Sequence, residues 1–266
     1  MRSFVLSVLM VLCGVSAAWC EELRIGGTGA GLALSHALAE AFLQGRPGDT
    51  LWIPESLGTS GGVRALAAAK LDVAVLMRPL KADEMAGGVS FGLCRTPWAF
   101  YVQKNRDDVR LASADLTGLF LSSLPGFAKG EVRPLLRPGS ETGFIKLQEY
   151  YPHLVPLIEQ ARGARGAVMV LSDQEAMDAV ENGPALVGFG AYAPLLAEHR
   201  PLRVVVLDGR DPAALAPDYP FWAEIYMATG PQNSVLGRAF VEYVKSSAAA
   251  KVLRANGCVA MSGNPS

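Results

Sequence analysis

The 266-residue chain is poor in the residues that build metal centres and in net charge of either sign. It has three histidines and four cysteines, and no two cysteines form a C-x-x-C pair, so we expect neither a metal site nor a cofactor. Basic and acidic residues nearly cancel at a net charge of −1, which argues against a nucleic-acid partner. Aromatic residues make up only 8%, which sets the chain apart from most all-β sandwiches. Its 50% hydrophobic residues exclude disorder.

Long apolar runs are also absent after the first residues. Arg2 precedes an apolar run at 4–13, and a Ser16-x-Ala18 site follows it, which is typical of a secretory signal peptide. The run is too short to span a membrane. We therefore predict a signal peptide at 1–18 and a periplasmic mature protein. The residues before Cys20 loosely imitate a lipoprotein cleavage site, so lipid anchoring stays an alternative, although Trp19 fits it poorly.

Strand and helix patterns alternate along the mature chain. Apolar strands at 23–25 and 50–53 each lead into a glycine-rich turn and an amphipathic helix. The second helix, at 63–70, runs into a buried strand at 71–76. Two such units in succession predict an α/β fold with a parallel sheet and helices on its faces. Further strands are predicted at 97–102, 132–136, 185–189, 202–207 and 221–227, and further helices at 144–150, 172–181, 236–245 and 248–255.

The first glycine-rich turn, 26–31, opens a helix and suits an anion. Its small residues leave backbone N–H groups free to face a ligand, and a helix N-terminus favours negative charge. The dinucleotide pattern G-x-G-x-x-G fails here, because Leu32 and Leu34 stand where its last glycine is required. A purely structural tight turn is the alternative.

The second turn contains Gly58-x-Ser60-x-Gly62, the pattern of a hydrolase nucleophile. A secreted serine hydrolase using Ser60 is therefore one hypothesis, with His153 or His199 as its base. The same geometry also makes an anion cradle from hydroxyl and N–H groups at a helix start, which we favour.

The third turn runs from Arg137 through Ser140 and Thr142 into a helix. A guanidinium offers two parallel donors to an oxyanion, and the two hydroxyls add further donors. Three Gly/Ser/Thr-rich helix starts in one exported α/β chain favour a single convergent anion site.

These turns, together with Leu71-Asp72 and Arg78-Pro-Leu80, resemble the periplasmic phosphate-binding proteins of phosphate ABC importers. The resemblance implies a two-lobed periplasmic binding protein, each lobe a mainly parallel sheet flanked by helices, with an anion in the cleft. The first lobe would hold residues 23–93 and 228–266, and the second lobe residues 103–220. Two crossover strands, 94–102 and 221–227, would join the lobes.

Carried over position by position, the resemblance implies a set of ligand-binding residues from all three turns. The set is Thr28, Gly29, Ala33, Leu34, Thr59, Ser60, Gly61, Arg78, Arg137, Ser140 and Thr142. Two departures from the family pattern stand out. Ala33 and Leu34 replace polar or aromatic residues, so only backbone donors remain there, and Met77 stands where the family has an acidic acceptor. Glu141 is the only nearby carboxylate that could replace it, and we expect Glu141 to be an exposed turn residue.

The implied function is binding without chemistry. The chain is expected to be a monomer that captures a small inorganic oxyanion, first of all phosphate, for an inner-membrane ABC permease. A sensor subunit that reports to a receptor kinase is the alternative within the binding class. Cys13 leaves with the signal peptide and Cys20 either leaves or stays, whereas Cys94 and Cys258 remain. An oxidising compartment permits a bridge between the last two. Two unrelated buried thiols are the other reading. The resemblance implies that the C-terminal segment returns to the first lobe, where Cys258 could approach Cys94, and it therefore favours the disulfide.

Export with cleavage near Ala18 is directly testable. The mass of the intact protein from the periplasmic fraction should match a chain that begins close to residue 19. Periplasmic material that keeps residues 1–18 would contradict the prediction, and a mass increase of a diacylglycerol on Cys20 would instead support the lipoprotein alternative.

Overall fold

The computed structural model describes residues 20–121 and 123–261, so the predicted signal peptide lies outside the described residues. The strands are β1 (Glu22–Gly27), β2 (Thr50–Trp52), β3 (Val73–Leu76), β4 (Val89–Gln103), β5 (Arg133–Pro134), β6 (Leu186–Ala191), β7 (Leu202–Val204), β8 (Trp222–Thr229) and β9 (Val259–Ala260). The helices are α1 (Gly29–Leu43), α2 (Gly58–Ala67), α3 (Asp115–Leu121), α4 (Thr142–Tyr150), α5 (Val155–Gly163), α6 (Asp173–Asn182), α7 (Tyr192–Ala197), α8 (Val235–Val244) and α9 (Ser247–Ala255). Within this part of the chain no helix is long and apolar enough to cross a membrane.

The N-terminal half follows the predicted strand–turn–helix units. β1 pairs in parallel with β2 and with β3, and Ile25 lies opposite Val73 in the second pair. The helix after the second turn starts at Gly58 rather than at the predicted residue 63. It starts early because the Gly-Thr-Ser-Gly-Gly stretch itself forms the first helical turn, although glycine lowers intrinsic helix propensity.

Two long antiparallel strands carry the chain through the middle of the sheet. The strand order is β2-β1-β3-β8-β4-β6-β5, with β7 and β9 paired to β4. β8 runs antiparallel to both β3 and β4, and β6 runs antiparallel to β4 but parallel to β5. The α/β fold class is confirmed, and the sheet is mixed. The predicted strand at 97–102 covers only the C-terminal half of β4, because residues 89–96 lack a continuous apolar run.

The hydrophobic core of the described residues falls into four clusters, and the two largest meet on these long strands. The first core packs α1, α8 and α9 against β1 and β3, with Leu38 and Phe240 fully buried. The second core packs the middle of the chain around aromatic rings such as Phe144. β4 enters the first core with Leu93 and the second with Trp98. The two cores also share helices, because Ala30 of α1 belongs to the second core and Ala193 of α7 to the first.

A disulfide holds the C-terminal segment to β4 beside this junction. The structure forms the predicted Cys94–Cys258 bridge, with Cα atoms 5.8 Å apart, which confirms the prediction. Next to it, the fully buried Thr96 hydroxyl donates to the Gly257 carbonyl at 2.8 Å and accepts from the Ala193 N–H at 3.0 Å. The C-terminal segment and α7 are thereby fixed to the same point of β4.

Asp72 links β1 to β3 from a buried position. Its Oδ2 accepts from the backbone N–H of Arg24 at 2.9 Å, and its Oδ1 accepts from the Arg24 guanidinium at 3.1 Å. The Asp72 side chain is 1% exposed, whereas that of Arg24 is 34% exposed. Burial opposes ionisation, but the hydrogen bonds from Arg24 outweigh it and hold the pKa of Asp72 below its ordinary value.

Replacing Asp72 by Asn should lower the free energy of unfolding at pH 7 by about 3 kcal/mol, because it breaks a buried ion pair and leaves its donors poorly matched. A depressed carboxyl pKa contributes stability that is complete above the unfolded value of about 3.9 and is lost as the pH falls through the folded value. The difference between wild type and variant, measured by urea unfolding, should therefore shrink below about pH 4.

Asp107→Asn is the matched control, because Asp107 forms an exposed pair with Lys129. Exposed pairs contribute little to stability, so this change should have a much smaller effect. Equal losses in the two variants, or a gap for Asp72→Asn that does not depend on pH, would contradict the assignment.

Candidate functional site

A cavity of about 830 Å³ lies where three helices begin, and we call it the central cavity. Nine of the eleven predicted binding residues line it: Thr28, Gly29, Thr59, Ser60, Gly61, Arg78, Arg137, Ser140 and Thr142. Its first wall is formed by residues 28–29, 56–64 and 77–78, and its second wall by residues 137–149 and 171–173. The first wall is formed by segments that precede β4 in the sequence, and the second wall by segments between β4 and β8. The segments are distant in sequence, so only the tertiary fold brings them together.

The first wall depends on close packing of backbone around Gly27. A Cβ at Gly27 would lie 2.1 Å from the Val75 carbonyl oxygen, and its φ of +137° is unfavourable for other residues. The next residue, Thr28, donates its N–H to the same carbonyl at 3.0 Å. Helix α2 also packs closely against Gly27: a Cβ added at Gly62 would lie 2.8 Å from the Cα of Gly27. The glycines therefore bring the N-termini of α1 and α2 side by side.

The structure corrects two of the predicted binding residues. Leu34 is fully buried in the first core, and Ala33 lines an adjacent cavity of about 1020 Å³ rather than the central one. α1 begins at Gly29, so the N–H groups of residues 33 and 34 lie beyond its first turn, where they bond to carbonyls within the helix. Neither side chain nor backbone of these residues is available to a ligand in the central cavity.

Ser60 has no catalytic base in the central cavity. No histidine belongs to its lining in the part of the chain that the structure describes. His199 lines the adjacent cavity, and the His153 ring packs edge-on against Tyr151 at 6.1 Å. A serine nucleophile needs a base within hydrogen-bonding reach, and neither of the two predicted bases lines the cavity that contains Ser60. Over the same described residues, no group of His, Cys, Asp and Glu side chains could hold a metal ion.

Arg137 is buried at the second wall and is held by a carboxylate. The residue is 4% exposed; its Nη1 donates to Asp173 Oδ1 at 3.1 Å and its Nη2 to the Leu171 carbonyl at 3.2 Å. Among the described residues, its Nε has no hydrogen-bond partner. Sequence patterns pointed to the arginine but not to Asp173, because the two lie 36 residues apart.

The other basic side chains of the cavity differ in their availability. Arg78 forms a two-fold pair with Glu84, with distances of 2.8 and 2.6 Å, and the hydrogen bonds from Arg78 lower the pKa of Glu84 to about 2. Lys146 pairs with Glu149 at 2.6 Å. Arg64 on α2 is exposed and forms no ion pair with any described residue. Among the described residues, the freest cation of the site is therefore Arg64, which is not in the set of predicted binding residues.

Glu141 is not the exposed turn residue that the sequence suggested. It is the N-cap of α4, and its two carboxylate oxygens accept from the N–H groups of Gly143 and Phe144, both at 2.9 Å. Burial, together with the negative charge of Asp173, raises the pKa of Glu141. An acidic residue directly before a helix is a known capping signal, and it could have identified this role.

Apolar side chains complete the cavity and its rim. Met77 belongs to the first wall and packs against both cores. Three more apolar residues line the cavity while remaining accessible to solvent: Leu57 at 41%, Ile145 at 40% and Leu171 at 73%. The Met77 N–H donates to the Thr59 hydroxyl at 3.1 Å, which ties the end of β3 to the start of α2. Helix N-termini and arginines thus face one another across a partly apolar opening.

Comparison with known proteins identifies the fold. A model of the PBP superfamily domain matches residues 15–248. A Clostridium perfringens protein assigned to phosphate ABC transport, solved with bound phosphate, superposes with a TM-score of 0.71 at 15% identity, covering 90% of this chain and 99% of its own. An ABC-type phosphate transport receptor from Vibrio cholerae gives a TM-score of 0.55 at 17% identity, covering 90% and 100%.

A third solved structure is assigned to molybdenum transport rather than to phosphate transport. The substrate-binding domain of a Clostridium difficile ABC transporter assigned to molybdenum gives a TM-score of 0.53 at 15% identity, covering 91% of this chain and 99% of its own. No curated protein sequence matches the chain. At such low identities the structural matches establish the fold, and the ligand has to be argued from the site.

Proposed function

The chain belongs to the PBP superfamily, and on that premise we propose that it is an exported solute-binding protein that captures a small oxyanion, with phosphate as the first candidate. One observation carries the proposal: the N-termini of α1, α2 and α4 face a single cavity from two walls. The first N–H groups of a helix have no partner within it, and the helix dipole favours negative charge there.

Binding is proposed to close the two walls on the anion. The first lobe would comprise residues 23–93 with 228–266, and the second lobe residues 103–220, joined by the crossovers 94–102 and 221–227. The two largest hydrophobic clusters support this division, because all but one buried residue of each lies in a single proposed lobe or in a crossover. The exceptions are Ala30 and Ala193, through which α1 and α7 pack across the division. Hinge closure of this kind buries a ligand and changes the outer shape of the protein. An inner-membrane ABC permease would read that closed shape.

Donors for the anion would come from both walls. The first wall offers the backbone N–H of Gly29, the Thr28 and Ser60 hydroxyls and the unpaired Arg64. The second wall offers Arg137 with its unpartnered Nε. Hydrogen bonds from charged donors to an oxyanion are stronger than neutral ones, so the arginines should dominate the binding free energy.

Removing Arg137 should weaken binding of inorganic phosphate about 30-fold or more, because losing a buried charged donor typically costs about 2–5 kcal/mol. The measurement is titration calorimetry of wild type and Arg137→Ala. Arg137 also pairs with Asp173, so Arg137→Lys serves as the variant that keeps a charge if the alanine variant is unstable.

Arg165→Ala provides the control, since Arg165 is an exposed arginine outside the cavity lining. It should bind within twofold of wild type. If Arg137→Ala changes the Kd for phosphate less than threefold, the principal charged contact is another residue. Arg64→Ala should then show the large loss of affinity.

Selectivity should be weak because Met77 cannot accept a hydrogen bond from a protonated anion, and the Glu141 and Asp173 carboxylates of the cavity are already engaged by the α4 N–H groups and by Arg137. Near neutral pH phosphate retains a proton and sulfate does not, so a carboxylate in the site favours phosphate by accepting that proton and by repelling sulfate. We expect phosphate and sulfate to bind wild type within about tenfold of each other. Molybdate, another tetrahedral oxyanion, belongs in the same comparison.

Thermal unfolding with each anion at matched ionic strength tests this, because a ligand at 100 times its Kd stabilises by about 2.7 kcal/mol. Met77→Asp should reduce binding of sulfate more than binding of phosphate, and Met77→Leu should leave the ratio unchanged. If phosphate alone stabilises wild type, the selectivity argument is wrong and another group accepts the proton.

A further inference from the structure

The second wall already holds a carboxylate where an anion would bind. Both oxygens of Glu141 accept N–H groups from the first turn of α4, at 2.9 Å each. A Cβ added to Gly143 would lie 3.0 Å from a Glu141 oxygen, so the carboxylate sits directly over that turn. Two of the donors that the N-terminus of α4 could offer to a bound oxyanion are therefore occupied by the protein's own side chain.

A second group on this wall is built for an anion and is not fully used. The Arg137 side chain is 5% exposed and points its charge toward the same wall, yet its Nε has no partner among the described residues. One of its terminal nitrogens is occupied by Asp173. The wall thus combines a buried cation, an unsatisfied donor and two carboxylates that occupy the remaining donors.

We infer that Glu141 is a built-in competitor for the oxyanion: its carboxylate occupies the N-terminus of α4 and must leave before a ligand can bind there. The inference rests on the proposed function. It makes Glu141 a residue that sets affinity from inside the site, because an incoming anion must both replace its hydrogen bonds and overcome its negative charge.

The alternative role for Glu141 predicts the opposite sign. If its carboxylate instead accepted the proton of bound phosphate, a neutral amide at this position would weaken phosphate binding and leave sulfate unaffected or improved. If it is a competitor, the amide variant binds both anions more tightly. The comparison of two anions therefore separates the roles.

The experiment is titration calorimetry of Glu141→Gln with inorganic phosphate and with sulfate at pH 7.5. We expect affinity for both anions to rise at least fivefold over wild type. Glu141→Ser keeps a neutral hydroxyl cap on α4 but removes the carboxylate, and it should show the same gain. Circular dichroism and thermal unfolding establish that each variant is folded.

Glu149→Gln controls for the general effect of removing a negative charge from the cavity. Glu149 lines the same wall but pairs with Lys146 and does not cap α4. A long-range charge effect alone should raise affinity less than threefold. Equal gains in affinity in the Glu149 and Glu141 variants would show that the gain comes only from removing a negative charge, and this result would overturn the inference.

The remaining outcomes separate this inference from the function on which it rests. If wild type binds phosphate or sulfate and both folded Glu141 variants bind no better, the competitor role is wrong while oxyanion binding stands. If wild type and all variants fail to bind any of the oxyanions at millimolar concentration, the proposed function fails and the inference with it. Binding that appears only in the Glu141 variants would support both.

Discussion

The first N–H groups of a helix cannot bond within it, and this constraint organises the functional end of the molecule. α1, α2 and α4 all begin at the central cavity, and each solves the problem with different groups. The Thr28 N–H at the start of α1 bonds to the Val75 carbonyl, whereas α4 is capped by the Glu141 carboxylate. The donors left over define where an anion can bind.

The same constraint explains why the cavity needs glycines and a continuous sheet. Helix starts can meet only if the strands before them end side by side and the backbones approach closely. Gly27 allows that approach at the end of β1, and Asp72 fixes β1 to β3 through Arg24. β4 and β8 then carry the chain to the second core, which supplies the other wall.

Charge at the site is balanced pair by pair. Arg78 is bound by Glu84, Arg137 by Asp173 and Lys146 by Glu149, while Arg64 forms no pair with a described residue. Of these cations only Arg137 is buried, and a buried charge is stable when it is paired. Under the proposed function, a bound anion would compete with these internal carboxylates.

Local sequence patterns predicted much of this arrangement. Glycine-rich turns after apolar strands predicted the parallel units β1–α1 and β2–α2, the helix pattern at 172–181 predicted α6, and the turn from Arg137 to Thr142 marked the second wall. These succeed because turn geometry and helix capping depend on residues a few positions apart. Even the disulfide partners could be named, since only two cysteines remain well inside the mature chain.

What the sequence determined by itself is therefore most of the elements and the donor-bearing turns, because neighbouring residues decide both. Helices α3, α5 and α7 were not predicted. Which donors are free was decided only by the tertiary structure. The Leu34 side chain is buried in the first core, and the Glu141 carboxylate caps α4. Asp173 pairs with Arg137, 36 residues away in the sequence. Ion pairs and burial join segments that are distant in the chain, and local patterns carry no information about which of those segments will meet.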